Sequence, residues 1–437
     1  MKHIKFLTVG FATTLLGASL MLSSGLFAKE TAQKSQESRL SALAKYTKVL
    51  GTIEQYYVDD LEVSEIVKKS IEGLLEKLDA HSSFLDEKHF KEMKIQTDGE
   101  FGGLGITIGI RDGALTIIAP MEGTPADKIG IKAEDIILKI GEKSTLNMTI
   151  DEAVGLMRGK PKTDVRLTIV RKGEQKPLQF VITRDIIKID SVYAKKIENE
   201  AILYVRVTNF DKNVAQKTKE ALSKHRDIKG IVLDLRNNPG GLLNQAVALS
   251  DLFIGDGIIV SQKGRSSDQN TQYNATKVGT ITDIPLVVLV NGGSASASEI
   301  VSGALQDHKR AVIVGEKTFG KGSVQVILPL DETEAIRLTI ARYYLPSGRT
   351  IQAVGVTPDL VVYPGKVPHQ EDGISIKEND LKQHLESELE KVSNNTKEVK
   401  KVKNNDNKEI LTQKQIGNDI QLKTALDVIK VLNIKQK

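Results

Sequence analysis

Apolar residues recur at three- and four-residue spacing in Leu40, Leu43, Tyr46, Val49, Leu50, Ile53 and Tyr57, and again in Val63, Ile66, Val67, Ile71, Leu74, Leu75 and Leu78. Both stripes predict amphipathic helices, and the turn formers from Asp79 to Ser83 end the second. Such a stripe serves either as core or as an arm that meets a second copy. From Gly99 the pattern changes to short alternating strands, among them Gly105–Ile110, Ala114–Ala119 and Val165–Val170. Short helices are predicted near Pro125–Ile129 and over Ile150–Met157, where Thr149 and Glu152 form a capping box. Residues 99–186 thus read as a compact mixed domain. Between 187 and 365 strands (Ala201–Val207, Gly230–Leu235, Ile284–Val290, Ala311–Val314) alternate with helices (Val214–His225, Leu242–Ile254, Ala297–Asp307). This alternation predicts an α/β core, with the uninterrupted apolar run Ile284–Val290 as a strand buried on both faces. Residues 366–410 are polar and highly charged, a linker composition. A last helical stripe, Leu422, Ala425, Leu426, Ile429 and Leu432, falls within 411–437.

The first 28 residues stand apart. Lys2 and Lys5 precede an uncharged apolar run from Phe6 to Leu22, and Ala28 precedes Lys29-Glu30. This resembles a signal peptide cleaved after Ala28, although Leu26 is larger than the residue preferred there. The run also approaches spanning length, so an uncleaved membrane anchor is the alternative. Either way the expected location is outside the cytoplasm, in the periplasm or cell envelope. Residues 29–98 then form an N-terminal helical segment.

Composition narrows the chemistry. At 437 residues the chain exceeds one ordinary domain. It has no cysteine, which removes disulfides, thiolate metal sites and a cysteine nucleophile, and only seven histidines. A net charge of +5 from 61 basic and 56 acidic residues gives no case for nucleic acid.

Three segments carry candidate chemistry. In Val290-Asn291-Gly292-Gly293-Ser294-Ala295-Ser296-Ala297-Ser298-Glu299 a buried strand ends, small residues turn, and a helix starts. A serine there sits beside unpaired helix N–H groups that favour an oxyanion. Ser296-Ala297-Ser298-Glu299 is also a capping-box pattern, so Ser296 is equally readable as a plain helix cap. A serine nucleophile needs a base, and His308, at the far end of the same helix, is out of reach. The alternative is a lysine held neutral by burial. In Phe319-Gly320-Lys321-Gly322-Ser323-Val324-Gln325 a lysine lies between glycines at the mouth of a strand. If the strand begins near Lys321, then Lys321, Ser323 and Gln325 share a face. The bland reading is a surface lysine on a turn. Third, Asp234-Leu235-Arg236-Asn237-Asn238-Pro239-Gly240-Gly241 joins a strand to a helix, where Gly240 or Gly241 could aim an N–H at a carbonyl. Lacking Gly-Lys-Ser/Thr, it is not a P-loop.

Together these segments resemble the carboxy-terminal processing peptidases, or tail-specific proteases. Arg342-Tyr343-Tyr344-Leu345-Pro346-Ser347-Gly348-Arg349, Thr357-Pro358-Asp359 and Asp79–Leu85 are similar to further motifs of that family, with Ala80 where the family usually has proline. The resemblance covers about 38–365, with a weaker echo near Asp419–Ala425. It implies an α/β multidomain protein: an α/β serine protease core (187–365) with an inserted PDZ domain (99–186) and helical N- and C-terminal segments. It implies Ser296 as nucleophile, Lys321 as general base, Gln325 as its orienting partner, and an oxyanion hole from Ala297 with Gly240 or Gly241. In the PDZ domain Gly103, Leu104, Gly105 and Ile106 would bind a peptide carboxylate, with Ala153, Val154 and Met157 lining the pocket. Arg158 would couple the PDZ domain to the core. The expected activity is that of an exported serine endopeptidase with no metal or other cofactor. It would act on proteins with apolar C-termini, as a homodimer, with a regulatory adaptor protein as a further partner. Two rivals remain: a PDZ peptide-binding scaffold on an inactive core, and an acyl-transfer enzyme or amidase for small substrates.

Overall fold

The computed structural model describes residues 38–277, 279–281, 283–367 and 410–435. The expected signal peptide or anchor and nearly all of the charged linker lie outside these residues. Two compact units emerge, one made of residues up to Phe84 with Ile336–Leu338, the other of Leu85–Ala335 with Thr339 onward.

In the first unit residues 38–56 are helical and a second helix covers Val63–Glu76. Leu40, Leu43, Tyr46, Val49 and Tyr57 of the first stripe are exposed, whereas the second helix buries Ile66 and Leu75. The first stripe is therefore not core in this chain. Among the described residues no helix is long and apolar enough to cross a membrane.

The second unit is built on a seven-stranded sheet. Its order is Leu360–Val361, Val312–Gly315, Leu286–Val290, Gly230–Asp234, Ile202–Val207, Val192–Ile197 and Ile410–Leu411. All pairs are parallel except Val192–Ile197 with Ile202–Val207. Every residue of Gly230–Asp234 and Leu286–Val290 is buried. Alternate side chains of these strands enter two separate cores. On one face Leu203, Val205, Ile231, Leu233, Val288 and Val290 pack with residues of the helices Val214–Lys224, Leu243–Asp251 and Ala297–Asp307. On the other, Tyr204, Val232, Val287, Leu289 and Val314 cluster with Leu422, Ala425, Leu426 and Ile429 of the last helix, Ile420–Lys435. The C-terminal segment is thus an integral layer of the core, and its strand Ile410–Leu411 forms one edge of the sheet. That extends the core beyond the boundary expected at 365.

A second sheet includes Ile258–Gly264, Thr271–Asn274, Ser323–Pro329 and Ala335–Tyr344. The mixed domain has its own sheet, in the order Ile106–Arg111, Ala114–Pro120, Ile136–Ile140, Asp164–Val170 and Leu178–Thr183, with Lys143–Ser144 on the side. Its helix Ile150–Met157 has the predicted bounds, and both halves of the Thr149/Glu152 cap form. A two-stranded ribbon, Glu100–Gly103 with Asp185–Lys188, closes the domain at its entry and exit.

Candidate active site

Two neighbouring parallel strands, Gly230–Asp234 and Leu286–Val290, deliver the glycine turn and the serine turn from their carboxyl ends, where α/β sheets place their sites. The turns are stitched together. Asn237 N–H donates to Asn291 Oδ1 (2.8 Å), Asn291 Nδ2 to Asn237 Oδ1 (2.9 Å), and Ala295 N–H to the Asn238 carbonyl (3.0 Å).

The three serines of the turn differ. Ser294 is fully buried and its hydroxyl donates to the Leu235 carbonyl at 2.8 Å. Ser298 is fully buried too, and donates to the Asn238 carbonyl at 2.9 Å. Ser296 is partly exposed, at the junction with helix Ala297–Asp307. Its backbone lies at φ 53°, ψ −109°, a region that costs a non-glycine residue on the order of 1–3 kcal/mol. This is not the extended backbone of an ordinary N-cap. The Glu299 N–H bonds the Ser296 carbonyl at 2.9 Å.

Glu299, read from sequence as half of a cap, does more. It is completely buried and its carboxylate accepts four hydrogen bonds. Oε2 takes Ser296 N–H and Lys321 N–H, both at 2.8 Å; Oε1 takes Thr318 Oγ1 and Gly320 N–H, both at 2.6 Å. One carboxylate thereby ties the serine turn to the lysine loop. The sequence signal was the one acid in the first turn of a helix whose other first-turn residues are small or apolar.

Lys321 is partly buried, and the strand begins at Ser323, two residues later than the face argument assumed. The Gln325 amide nitrogen donates to Ser323 Oγ (2.9 Å) and Thr339 Oγ1 (3.2 Å), which leaves its carbonyl oxygen as the acceptor end.

The glycine turn touches the serine directly. A Cβ on Gly240 would fall 2.8 Å from Ala295 O, 2.9 Å from Ser296 Cβ and 3.0 Å from Ala297 N. Gly240 N–H is held by Asn238 Oδ1 (2.9 Å), and its carbonyl accepts Phe210 N–H. Leu242 N–H returns to the Phe210 carbonyl, so the bridge leaves Gly241 N–H pointing away from Phe210. Among the described residues neither Gly241 N–H nor Ala297 N–H has a protein acceptor. Two orphan donors beside a serine at a helix N-terminus can stabilise a developing oxyanion.

In the mixed domain Gly103, Leu104 and Gly105 are buried, and Ile106 starts a strand at the sheet's edge, open to one more strand. Gly105 has φ +77°, and its carbonyl accepts Met121 N–H at 2.8 Å. Ala153 and Met157 pack into the domain's core, while Val154 is half-buried. Arg158 stacks on Phe101 of the ribbon, 4.6 Å from its ring centre.

Comparison with known proteins gives the family. Residues 201–362 match the family model described as Peptidase family S41, and 116–171 that of the PDZ domain. The chain is 41 % identical to a carboxy-terminal-processing protease of Bartonella bacilliformis over 85 % of this chain and 88 % of that one. It is 32 % identical to the carboxy-terminal processing protease CtpA of Bacillus subtilis, over 82 % and 77 %. A solved photosystem II D1 C-terminal processing protease is 27 % identical, with a TM-score of 0.42 over 73 % of this chain and 92 % of that one. The chain therefore belongs to peptidase family S41, among the carboxy-terminal processing proteases, as a serine-type peptidase with a PDZ domain.

Proposed function

We propose that the chain is an exported endopeptidase that takes the apolar C-terminal tail of a protein substrate on its PDZ domain and cleaves the substrate with a Ser296–Lys321 dyad. One observation carries the choice of nucleophile: Ser294 and Ser298 are buried and donate to backbone carbonyls, while Ser296 is partly exposed on a strained turn. The neutral Lys321 amine takes the proton as Ser296 Oγ bonds to the substrate carbonyl carbon. The negative charge moves to the carbonyl oxygen, where the N–H groups of Ala297 and Gly241 receive it. The Gly240 N–H is already engaged by Asn238 Oδ1, which favours Gly241 as the second donor. The lysine ammonium returns the proton to the leaving amine, and an acyl-enzyme remains. Water, deprotonated by the same lysine, releases the shortened product. The Gln325 carbonyl oxygen orients the lysine while its amide nitrogen is held by Ser323 and Thr339.

The substrate tail would add as a strand beside Ile106–Arg111, its carboxylate on the Gly103–Ile106 loop and its last side chain near Val154. The segment 1–28 supports export. A homodimer through the exposed stripe of 38–56 and a regulatory adaptor complete the reading. The test is to incubate wild type, Ser296→Ala and Lys321→Ala with unfolded exported proteins and map the cuts by mass spectrometry. Cuts by wild type alone are expected. Cleavage that survives Ser296→Ala would remove the nucleophile, and one that survives Lys321→Ala at neutral pH would remove the base.

A further inference from the structure

A guanidinium shared between two carboxylates links the end of the chain to the glycine turn. Arg236 opens the turn that ends in Gly240-Gly241, and its side chain is 13 % exposed. Nε donates to Asp234 Oδ1 (3.0 Å) and Oδ2 (3.1 Å), and one terminal nitrogen to Asp234 Oδ2 (2.6 Å). That nitrogen also reaches Asp419 Oδ2 (2.8 Å), while the other donates to Asp419 Oδ1 (3.0 Å) and Gln421 Oε1 (2.9 Å). All five N–H groups of the fork are thus used. Asp234 is completely buried, takes the Tyr204 hydroxyl at 2.7 Å, and accepts the backbone N–H of Arg236 itself at 2.9 Å. Side chain and backbone at 236 are therefore fixed to one anchor. From there Asn238 holds Gly240 N–H.

Asp419 comes from far away, beyond the linker. It precedes the last helix, accepts Leu422 N–H at 3.0 Å, and is carried to Arg236 by the packing of Leu422, Leu426 and Ile429 on the sheet.

We propose that Asp419 is a positioning residue for the oxyanion turn: by completing the Arg236 fork, the C-terminal segment 410–435 becomes part of the active site. This rests on the assignment of Gly241 N–H and Ala297 N–H to the oxyanion. Without Asp419 the Arg236 guanidinium keeps Asp234 but loses acceptors on both terminal nitrogens, and the start of the turn is released on its outer side. A donor displaced by a fraction of an ångström is felt most where charge develops, so kcat falls and KM holds.

The experiment uses the full chain as wild type, Asp419→Ala, Asp419→Glu and Leu426→Ala. The last loosens the same helix without touching Arg236. Each is assayed on a fluorogenic peptide with an apolar C-terminal tail, and on a short ester paired with its thionoester. Sulfur is a poor acceptor, so the oxo-to-thiono rate ratio reports the oxyanion donors and not stability. We expect Asp419→Ala to lower kcat by at least about tenfold, with KM within about threefold and a smaller oxo-to-thiono ratio. Partial rescue is expected in Asp419→Glu, and a near wild-type ratio in Leu426→Ala despite a lower Tm. An unchanged ratio in Asp419→Ala, or a kcat no lower than that of Leu426→Ala at equal Tm, would overturn the proposal. A wild-type ratio no larger than that of the uncatalysed pair would overturn the oxyanion assignment beneath it, a different and separately visible failure.

Discussion

Glu299 Oε2 accepts the backbone N–H of Lys321 at 2.8 Å while accepting that of Ser296 at the same distance. The two residues proposed as nucleophile and base come from separate segments, and a single buried carboxylate sets their spacing. Its other oxygen holds Thr318 and Gly320, and Phe319 N–H adds a bond of 3.0 Å to the Ser294 carbonyl. Glu299→Gln keeps the shape but replaces one acceptor oxygen by an NH2 that faces two N–H donors or a hydroxyl and an N–H. At least one buried donor then lacks a partner, at a cost of about 1–3 kcal/mol. The expected result is a Tm lower by several degrees and kcat reduced more than tenfold. Near-normal kcat in a folded Glu299→Gln enzyme would show that the spacing does not depend on this carboxylate.

The serine turn makes a three-way comparison. Ser296→Ala is expected to abolish cleavage and leave Tm unchanged or raised, because alanine keeps the strained backbone without a hydroxyl to satisfy. Ser294→Ala and Ser298→Ala each remove a buried donor to a carbonyl, which costs about 1–3 kcal/mol, and both should retain cleavage after correction for stability. Thermal melts alongside peptide cleavage decide it. Loss of cleavage in Ser298→Ala with a wild-type Tm would move the nucleophile.

Gly240 has no room for a side chain. A Cβ there would press on Ala295 O, Ser296 Cβ and Ala297 N, and its φ of +106° is open to glycine alone at little cost. Gly240→Ala should therefore displace the serine itself, with cleavage reduced at least a hundredfold and a measurable fall in Tm. A fully active Gly240→Ala enzyme would mean that the two turns are not in contact during catalysis.

The PDZ loop offers a test that separates tail binding from chemistry. A Cβ on Gly105 would lie 2.3–2.5 Å from three side-chain atoms of Thr124, and φ is +77°. Gly105→Ala should weaken binding of an apolar-tailed peptide at least tenfold by fluorescence anisotropy. Hydrolysis of a short ester without a tail should stay within about threefold of wild type. Equal loss on both substrates would mean that the domain does not act as a separate reader of tails.

How much of this is legible in the sequence follows from the range of each interaction. Helix Ile150–Met157 is closed by a cap three residues wide, and Leu286–Val290 is an unbroken apolar run, so both are read locally. The turn around Ser296 is announced by small residues after that run. The reach of Glu299 beyond its cap is hidden, because a Ser-x-x-Glu pattern is the same whether the carboxylate meets only its own helix or also loops 19–22 residues away. The hydroxyls of Ser294 and Ser298 bond to carbonyls 59 and 60 residues upstream, which no local pattern announces. The C-terminal helix was legible as a helix but not as a layer of the core, since its apolar stripe carries no sign of the sheet it meets. Strands Ile258–Gly264 and Thr271–Asn274 are partly polar, and their pairing shifts register between Ile258 and Val260, which erases the period-two signal.

The link between Arg236 and Asp419 also has a pH signature. Burial pushes the Asp419 carboxyl up, but the hydrogen bond and charge of Arg236, with the N–H groups of Leu422 and Gln421, outweigh it and hold the group below its ordinary value. A carboxyl depressed in the folded state contributes stability that is present in full above the unfolded-chain value, about 3.9. That contribution is lost as pH falls from there through the lower folded value. Wild type should therefore exceed Asp419→Asn in Tm by a constant margin from about pH 7 to pH 5, and the margin should shrink below about pH 4. The Asn variant has no charge to lose at this site, so its own acid decline should be shallower. Melts of both proteins across pH 3–7 check this. A margin that narrows already between pH 7 and pH 5 would mean that the group responsible is not a depressed carboxyl, and no margin at any pH would mean that the charge of Asp419 does not stabilise the fork.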